Sequence, residues 1–294
     1  MKKLGLLPLC VALCALVCSC QKGDESESGS GLVITYPDNG RSSITFSCMG
    51  EFEMIPFKTR ALVADEKPMT DLWVLDYMGD ELIQQIHQTS DDEDFGQPTM
   101  DLDHGDHHLY FIASRGQGAT LDTDDFTLTF GRVSDTFYKD YEINVTATSN
   151  GSRSVALDRI VTKLTTVITD AIPEGAATFN IIPTAWYYSF DYITGEPLTA
   201  TANQTIVVNI PASEIGNTNL RVNIYGFSSA TQWTTDISVN CKTSADDILG
   251  MAVINDVPLQ RNHITQFSGP LFDGTRAMSI SLNGEWSENI DGTW

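Results

Sequence analysis

Asp101-Leu-Asp-His-Gly-Asp-His-His108 places three carboxylates and three imidazoles within eight residues. Those are the donor groups that transition metals take. A zinc centre, however, needs ligands fixed by a second element, and no other histidine lies near in sequence. The segment therefore reads as a polar hairpin tip between Thr99 and Leu109, bent at Gly105, with no metal site. His87 and His263 stand alone and read as structural or surface residues. The chain has no glycine-rich phosphate loop, no zincin helix and no nucleophile elbow. Trp73, Trp186, Trp233 and Trp286 could form a stacking platform for sugars, although packing on sheets is the commoner use of tryptophan. No nucleophile, base or cofactor site is supported, so the chain is not expected to be an enzyme.

The cysteines carry a different chemistry. Lys2 and Lys3 precede an apolar run from Leu4 to Val17, which has signal-peptide length and is short for a spanning helix. The run ends in Val17-Cys18-Ser19-Cys20, which resembles a bacterial lipobox. Cys20 is the expected lipidated residue, because a small serine precedes it whereas Val17 precedes Cys18. An ordinary secretory signal is the alternative. Several acyl chains, palmitate among them, would hold one residue stably in a membrane, each buried CH₂ contributing about 0.8 kcal/mol. Cys10, Cys14 and Cys18 leave with the signal peptide, so Cys48 and Cys241 remain. Two cysteines so far apart exclude a disulfide framework and are expected to be free thiols.

These groups must be carried by β structure. Leu32–Tyr36 and Ser43–Cys48 flank Pro37-Asp-Asn-Gly40 and read as a hairpin. Short extended runs follow at 52–57, 71–77, 81–88, 108–113, 126–130 and 141–146. Residues 81–88 also allow a helix, but the turn at Met78-Gly-Asp80 favours a strand. Thr148-Ser-Asn-Gly-Ser152 is the expected domain boundary. Residues 155–172 have helical apolar spacing, yet Ile, Val and Thr dominate 160–169 and favour a strand. Further strands are expected at 178–182, 186–192, 205–210, 220–227, 237–242 and 277–282, with one short helix near Ala245–Leu249 capped by Ser244. The expected architecture is all-β: a signal peptide (1–19), a polar tether (20–30), an N-terminal sandwich (31–150) and a C-terminal sandwich (151–294).

The charge narrows the partners. Seventeen Lys plus Arg face 39 Asp plus Glu, a formal net charge of −22. Such a surface repels phosphate backbones, so nucleic acid is excluded as a partner. A hydrophobic fraction of 41% excludes wholesale disorder.

Several motifs, taken in order, resemble the fimbrillin superfamily of type V fimbriae in anaerobic Gram-negative bacteria. They are Thr59-Arg60-Ala61, Asp65-Glu66, Leu72–Tyr77 with Gly79-Asp-Glu81, and Leu102–Ala113. Leu157–Lys163, Pro258–Thr265 and Gly269-Pro-Leu-Phe272 continue the likeness over most of the mature chain. The resemblance implies two transthyretin-like sandwiches, an outer-membrane lipid anchor, and surface-exposed assembly with other fimbrial subunits by strand exchange. It also implies a maturation cut between Arg60 and Ala61, where stalk subunits release a strand and expose a groove. That cut would remove the whole 32–48 hairpin as well, more than one strand. The departure favours an anchor or accessory subunit over a polymerising stalk or tip subunit. A surface glycan-binding lipoprotein is the alternative from another class. At the other end, Met278, Ile280, Leu282 and Trp286 share one parity and one face. They read either as a donor strand or as a resident edge strand of the second sandwich.

Overall fold

Alternation of apolar and polar side chains decides most of the strands, and it is strict where only one face is covered. The computed structural model describes residues 40–49, 69–274 and 279–285. Its first half gives β1 (Arg41–Met49), β2 (Asp71–Met78), β3 (Glu81–Thr89), β4 (Thr99–Asp103), β5 (Gly105–Ser114), β6 (Gln117–Asp122), β7 (Thr127–Arg132), β8 (Thr136–Val145), β9 (Gly151–Ala156) and β10 (Asp158–Arg159). The second half gives β11 (Val161–Ile168), β12 (Ala176–Pro183), β13 (Ser189–Asp191), β14 (Glu196–Pro197), β15 (Ile206–Asn209), β16 (Leu220–Phe227), β17 (Trp233–Thr243), β18 (Ile248–Leu259), β19 (His263–Gly269) and β20 (Ser279–Glu285). The fold is all-β, as expected, with one short 3-10 turn at Ala212–Glu214 among the described residues.

Three sheets are built from the first half, with β13 and β14 added from the second. Sheet one has the order β4-β1-β9, sheet two β10-β8-β5-β2-β3, and sheet three β14-β13-β7-β6. Sheet two lies in the middle. Its Leu72, Val74, Leu109 and Phe111 pack with Ile44, Phe46, Met100 and Leu102 of sheet one. Its Trp73, Leu75, Tyr110 and Ile112 pack with Leu128, Phe130 and Phe190 of sheet three. Coverage of both faces explains why β2 is a continuous apolar run rather than an alternating one. Sheets four (β16-β11-β19-β20) and five (β15-β12-β17-β18) enclose a separate core around Leu164, Phe179, Ile181, Trp186, Val239 and Phe267.

Residues 81–89 and 161–168 are strands, because the β-branched content of the second and the turn before the first outweigh helical spacing. The turn at 148–152 leads into β9, which runs parallel to β1 with Ile44 opposite Gly151 and Met49 opposite Ala156. Small polar residues there make the change of chain direction. The chain enters the second core at β11, and β13 then returns to pair with β7. Residues 32–36, 52–57 and the tether lie outside the described residues. Within them, β1 takes β4 antiparallel and β9 parallel as its partners.

The helix expected at 245–249 is instead the hairpin turn between β17 and β18. Asp246 adopts φ 72°, which aspartate tolerates, and the Thr243 hydroxyl accepts the amides of Ala245 and Asp247 at 3.2 Å. Four residues between two long paired strands leave no room for a helical nucleus.

Candidate functional site

Two strands at opposite ends of the chain differ sharply in how they are held. β1 is the central strand of sheet one, and Ile44 and Phe46 are completely buried between sheets one and two. Phe46 meets the Phe111 ring at 5.3 Å and Tyr141 edge-on at 6.1 Å. The Asn150 side chain also accepts the Ser43 amide at 2.7 Å, tying β1 to the turn before β9. Taking β1 away would leave the facing edges of β4 and β9 without partners and open an apolar slot between them.

β20 lies at the edge of sheet four, antiparallel to β19, with Leu282 opposite Thr265 and Ile280 opposite Phe267. Its side chains add little to the core. Ile280 is 40% exposed and Leu282 half-buried, and neither belongs to the apolar cluster enclosed by sheets four and five. Met278 and Trp286, of the same expected face, lie outside the described residues, as do Cys20, Arg60 and Ala61.

The acidic and histidine-rich segment is not the expected hairpin tip: β4 pairs with β1 in sheet one and β5 with β2 and β8 in sheet two, so the chain crosses between sheets at His104, and its imidazoles go to three different places. His104 sits at the turn, 3.3 Å from the Ser42 hydroxyl. His108 pairs with Asp140 on β8. His107 turns inward. Its Nδ1 lies 2.6 Å from Asp76 Oδ1 and its Nε2 2.7 Å from the Asp103 carbonyl, both side chains of the pair being fully buried. The Gln84 amide donates to Asp76 Oδ2 at 3.2 Å. The cluster is thus centred on a cross-strand polar pair between β2 and β5. Asp76 was detectable in the sequence as the one charge inside the run Leu72–Tyr77.

The remaining candidates are distributed through the fold. Trp73 and Trp186 are buried, and Trp186 donates its indole N–H to the Tyr225 carbonyl, so these two do not share an exposed face. His87 stacks on Trp73 at 4.7 Å and meets Asp71 at 2.8 Å, and His263 bonds the Arg261 carbonyl. Cys48 and Cys241 are free thiols in different cores, pushed up to about 12 and about 11 by desolvation.

One concave site was not legible at all. A groove of about 760 Å³ runs between the Gly116–Gly118 and Gly131–Ser134 segments and the two free edges β15 and β16. Arg115 lies along it, its guanidinium held by Ser134 Oγ at 3.2 Å, Tyr225 Oη at 3.4 Å and Asp135 at 3.8 Å. Arg132, Gln117, Gln204, Asn209 and Tyr188 also line it. The Tyr188 hydroxyl is buried without a hydrogen-bond partner among the described residues, and burial pushes it up to about 12. Glycines make the wall: a Cβ on Gly116 would lie 2.5 Å from the Phe130 ring.

Comparison with known proteins adds the following. A model described as a family of unknown function, DUF6562, matches residues 106–294. No curated protein matches the sequence. The structure is similar to that of a candidate polysaccharide-binding protein from Bacteroides thetaiotaomicron, with a TM-score of 0.51 and 9% identity over 83% of this chain and 96% of that chain. A candidate adhesin from the same organism gives 0.50 and 9%, again over 83% and 96%. The tip fimbrial protein Mfa3 from Porphyromonas gingivalis, with C-terminal truncation, gives 0.43 and 12% over 83% and 98%. At these identities the likeness is one of fold.

Proposed function

We propose that this chain, which belongs to the family of unknown function DUF6562 by its match over residues 106–294, is a surface-exposed fimbrial anchor or accessory subunit acting in cell adhesion. In this reading Cys20 carries lipid in the outer membrane, β1 stays in place, and β20 is the strand offered to the next subunit. The contrast between the two strands carries the proposal. β1 is central and buried, so removing it by a cut after Arg60 is costly. β20 is an edge strand whose described apolar side chains, Ile280 and Leu282, are only partly covered and stand outside the core cluster. A strand of that kind can leave its own sheet at little cost and pair with an open edge elsewhere. The fold shared with a candidate adhesin is consistent with this class of protein. A stalk or tip subunit is the second reading, and it requires β1 to be released.

Truncation separates these roles. A chain ending before residue 279 is expected to keep its thermal unfolding midpoint within a few degrees, since among the described residues it loses none of the second core. The same chain is expected to fail in copurification with other fimbrial subunits from cells. A large drop in midpoint would make β20 a structural strand, and undiminished copurification would remove it from assembly. Anchoring is tested on its own: Cys20→Ala is expected to move the protein from the membrane fraction to the soluble fraction. Continued membrane retention without a lipid label on the unmutated chain would end that part of the proposal.

A further inference from the structure

We propose that the groove between β7, β15 and β16 binds an acidic saccharide, a sugar ring that carries a carboxylate. The first observation is Arg132. It is half-buried in the groove wall, and its guanidinium makes no hydrogen bond or ion pair with any described residue. Arg41, Arg159 and Arg261 meet Asp103, Asp135 and Glu196 respectively. Arg153, which also meets no carboxylate, is held by the Ser149 and Ser152 carbonyls, whereas the Arg132 guanidinium has no such partner among the described residues. Its planar fork matches a carboxylate with two parallel hydrogen bonds.

The second observation is the buried Tyr188 hydroxyl, which has no partner in the described protein and lines the same groove. A buried polar group costs free energy until something satisfies it. The third is the set of Gln117, Gln204 and Asn209 side chains, which make no hydrogen bonds to described residues and supply both donors and acceptors. Ring hydroxyls, each donor and acceptor at once, suit that lining. A donated peptide strand suits it less, because it needs open apolar pockets at alternate positions. Here Val133, Val208 and Ile224 are already buried in the cores, leaving Val207 as an exposed aliphatic contact.

Calorimetric titration of the mature full-length chain tests this, using trigalacturonic acid and sialyllactose as probes. Neutral galactotriose and lactose are the controls for the carboxylate, and an oligoglutamate peptide is the control for charge alone. Saturable binding of one or both acidic sugars is expected, the pair distinguishing a uronate from a sialate ligand. Arg132→Gln is expected to weaken it about tenfold or more, the loss of one charge-assisted pair. Tyr188→Phe is expected to weaken it several-fold while leaving the unfolding midpoint unchanged. Equal binding of the neutral sugars, full binding by Arg132→Gln, preference for the peptide, or no binding of either acidic sugar would each overturn the proposal.

Discussion

Replacing Ile44 and Phe46 together by alanine is expected to unfold the packing of sheets one and two. Both side chains are fully buried between sheets one and two, and Phe46 is in ring contact with Phe111 and Tyr141. Truncating one buried isoleucine costs about 2–5 kcal/mol and one buried phenylalanine about 3–5 kcal/mol. Even at the low end the pair removes about 5 kcal/mol, comparable with the whole stability of many domains, about 5–15 kcal/mol. Chemical unfolding followed by near-ultraviolet circular dichroism would show a lost or strongly shifted first transition. The exposed Ile280→Ala should shift nothing measurable by comparison. If the double variant unfolds like the parent, β1 is peripheral, and the case for an anchor that retains its first strand falls with it.

The second large effect is expected at the Asp76–His107 pair. His107→Ala would leave the Asp76 carboxylate buried, with Gln84 as its remaining hydrogen-bond partner. Removing the partner of a buried, hydrogen-bonded polar group costs about 1–3 kcal/mol, and more where that group is charged. The Asp103 carbonyl would lose its donor as well, and with it the grip that β5 has on the end of β4. Replacing both residues by apolar ones, Asp76→Leu with His107→Leu, is expected to be much milder, since no buried polar group of the pair is then left without its partner. A double-mutant cycle in chemical denaturation measures the coupling. A single variant as mild as the double would mean that the pair is hydrated rather than buried.

Strands declare themselves in sequence where local chemistry and local environment agree. β2 and β11 did so through dense β-branched and aromatic content, β3 through the turn at Met78-Gly-Asp80. β6, Gln117–Asp122, did not, because its exposed side chains leave no alternation to read. β18 was obscured by the Ser244–Leu249 stretch, whose turn chemistry resembles a helix start. The passage of β13 back to β7, and of β9 to β1, is set by which faces remain uncovered after collapse, and no local pattern encodes that. The groove was hidden for the same reason. Arg132, Tyr188, Gln204 and Asn209 belong to separate segments, and only the return of the chain brings them to one wall. His107 was visible as a histidine among carboxylates, but its partner Asp76 is on another strand, so the segment looked like a surface tip.

The placing of β1 also sets a timetable. Its antiparallel partner β4 is synthesised some distance behind it, and the Asn150 side chain that holds Ser43 is 107 positions later. Sheet three waits longer still, for β13 and β14. Closing such long loops before any contact repays them makes folding slow. A chain emerging from its amino end therefore carries the apolar strand Ile44–Phe46 uncovered until its distant neighbours arrive. Unpaired strands of this kind are what nascent chains aggregate through. The same excess of acidic residues that keeps nucleic acid away acts here in time rather than in space. Mutual repulsion holds unfinished chains apart during the interval in which each has an unfilled sheet.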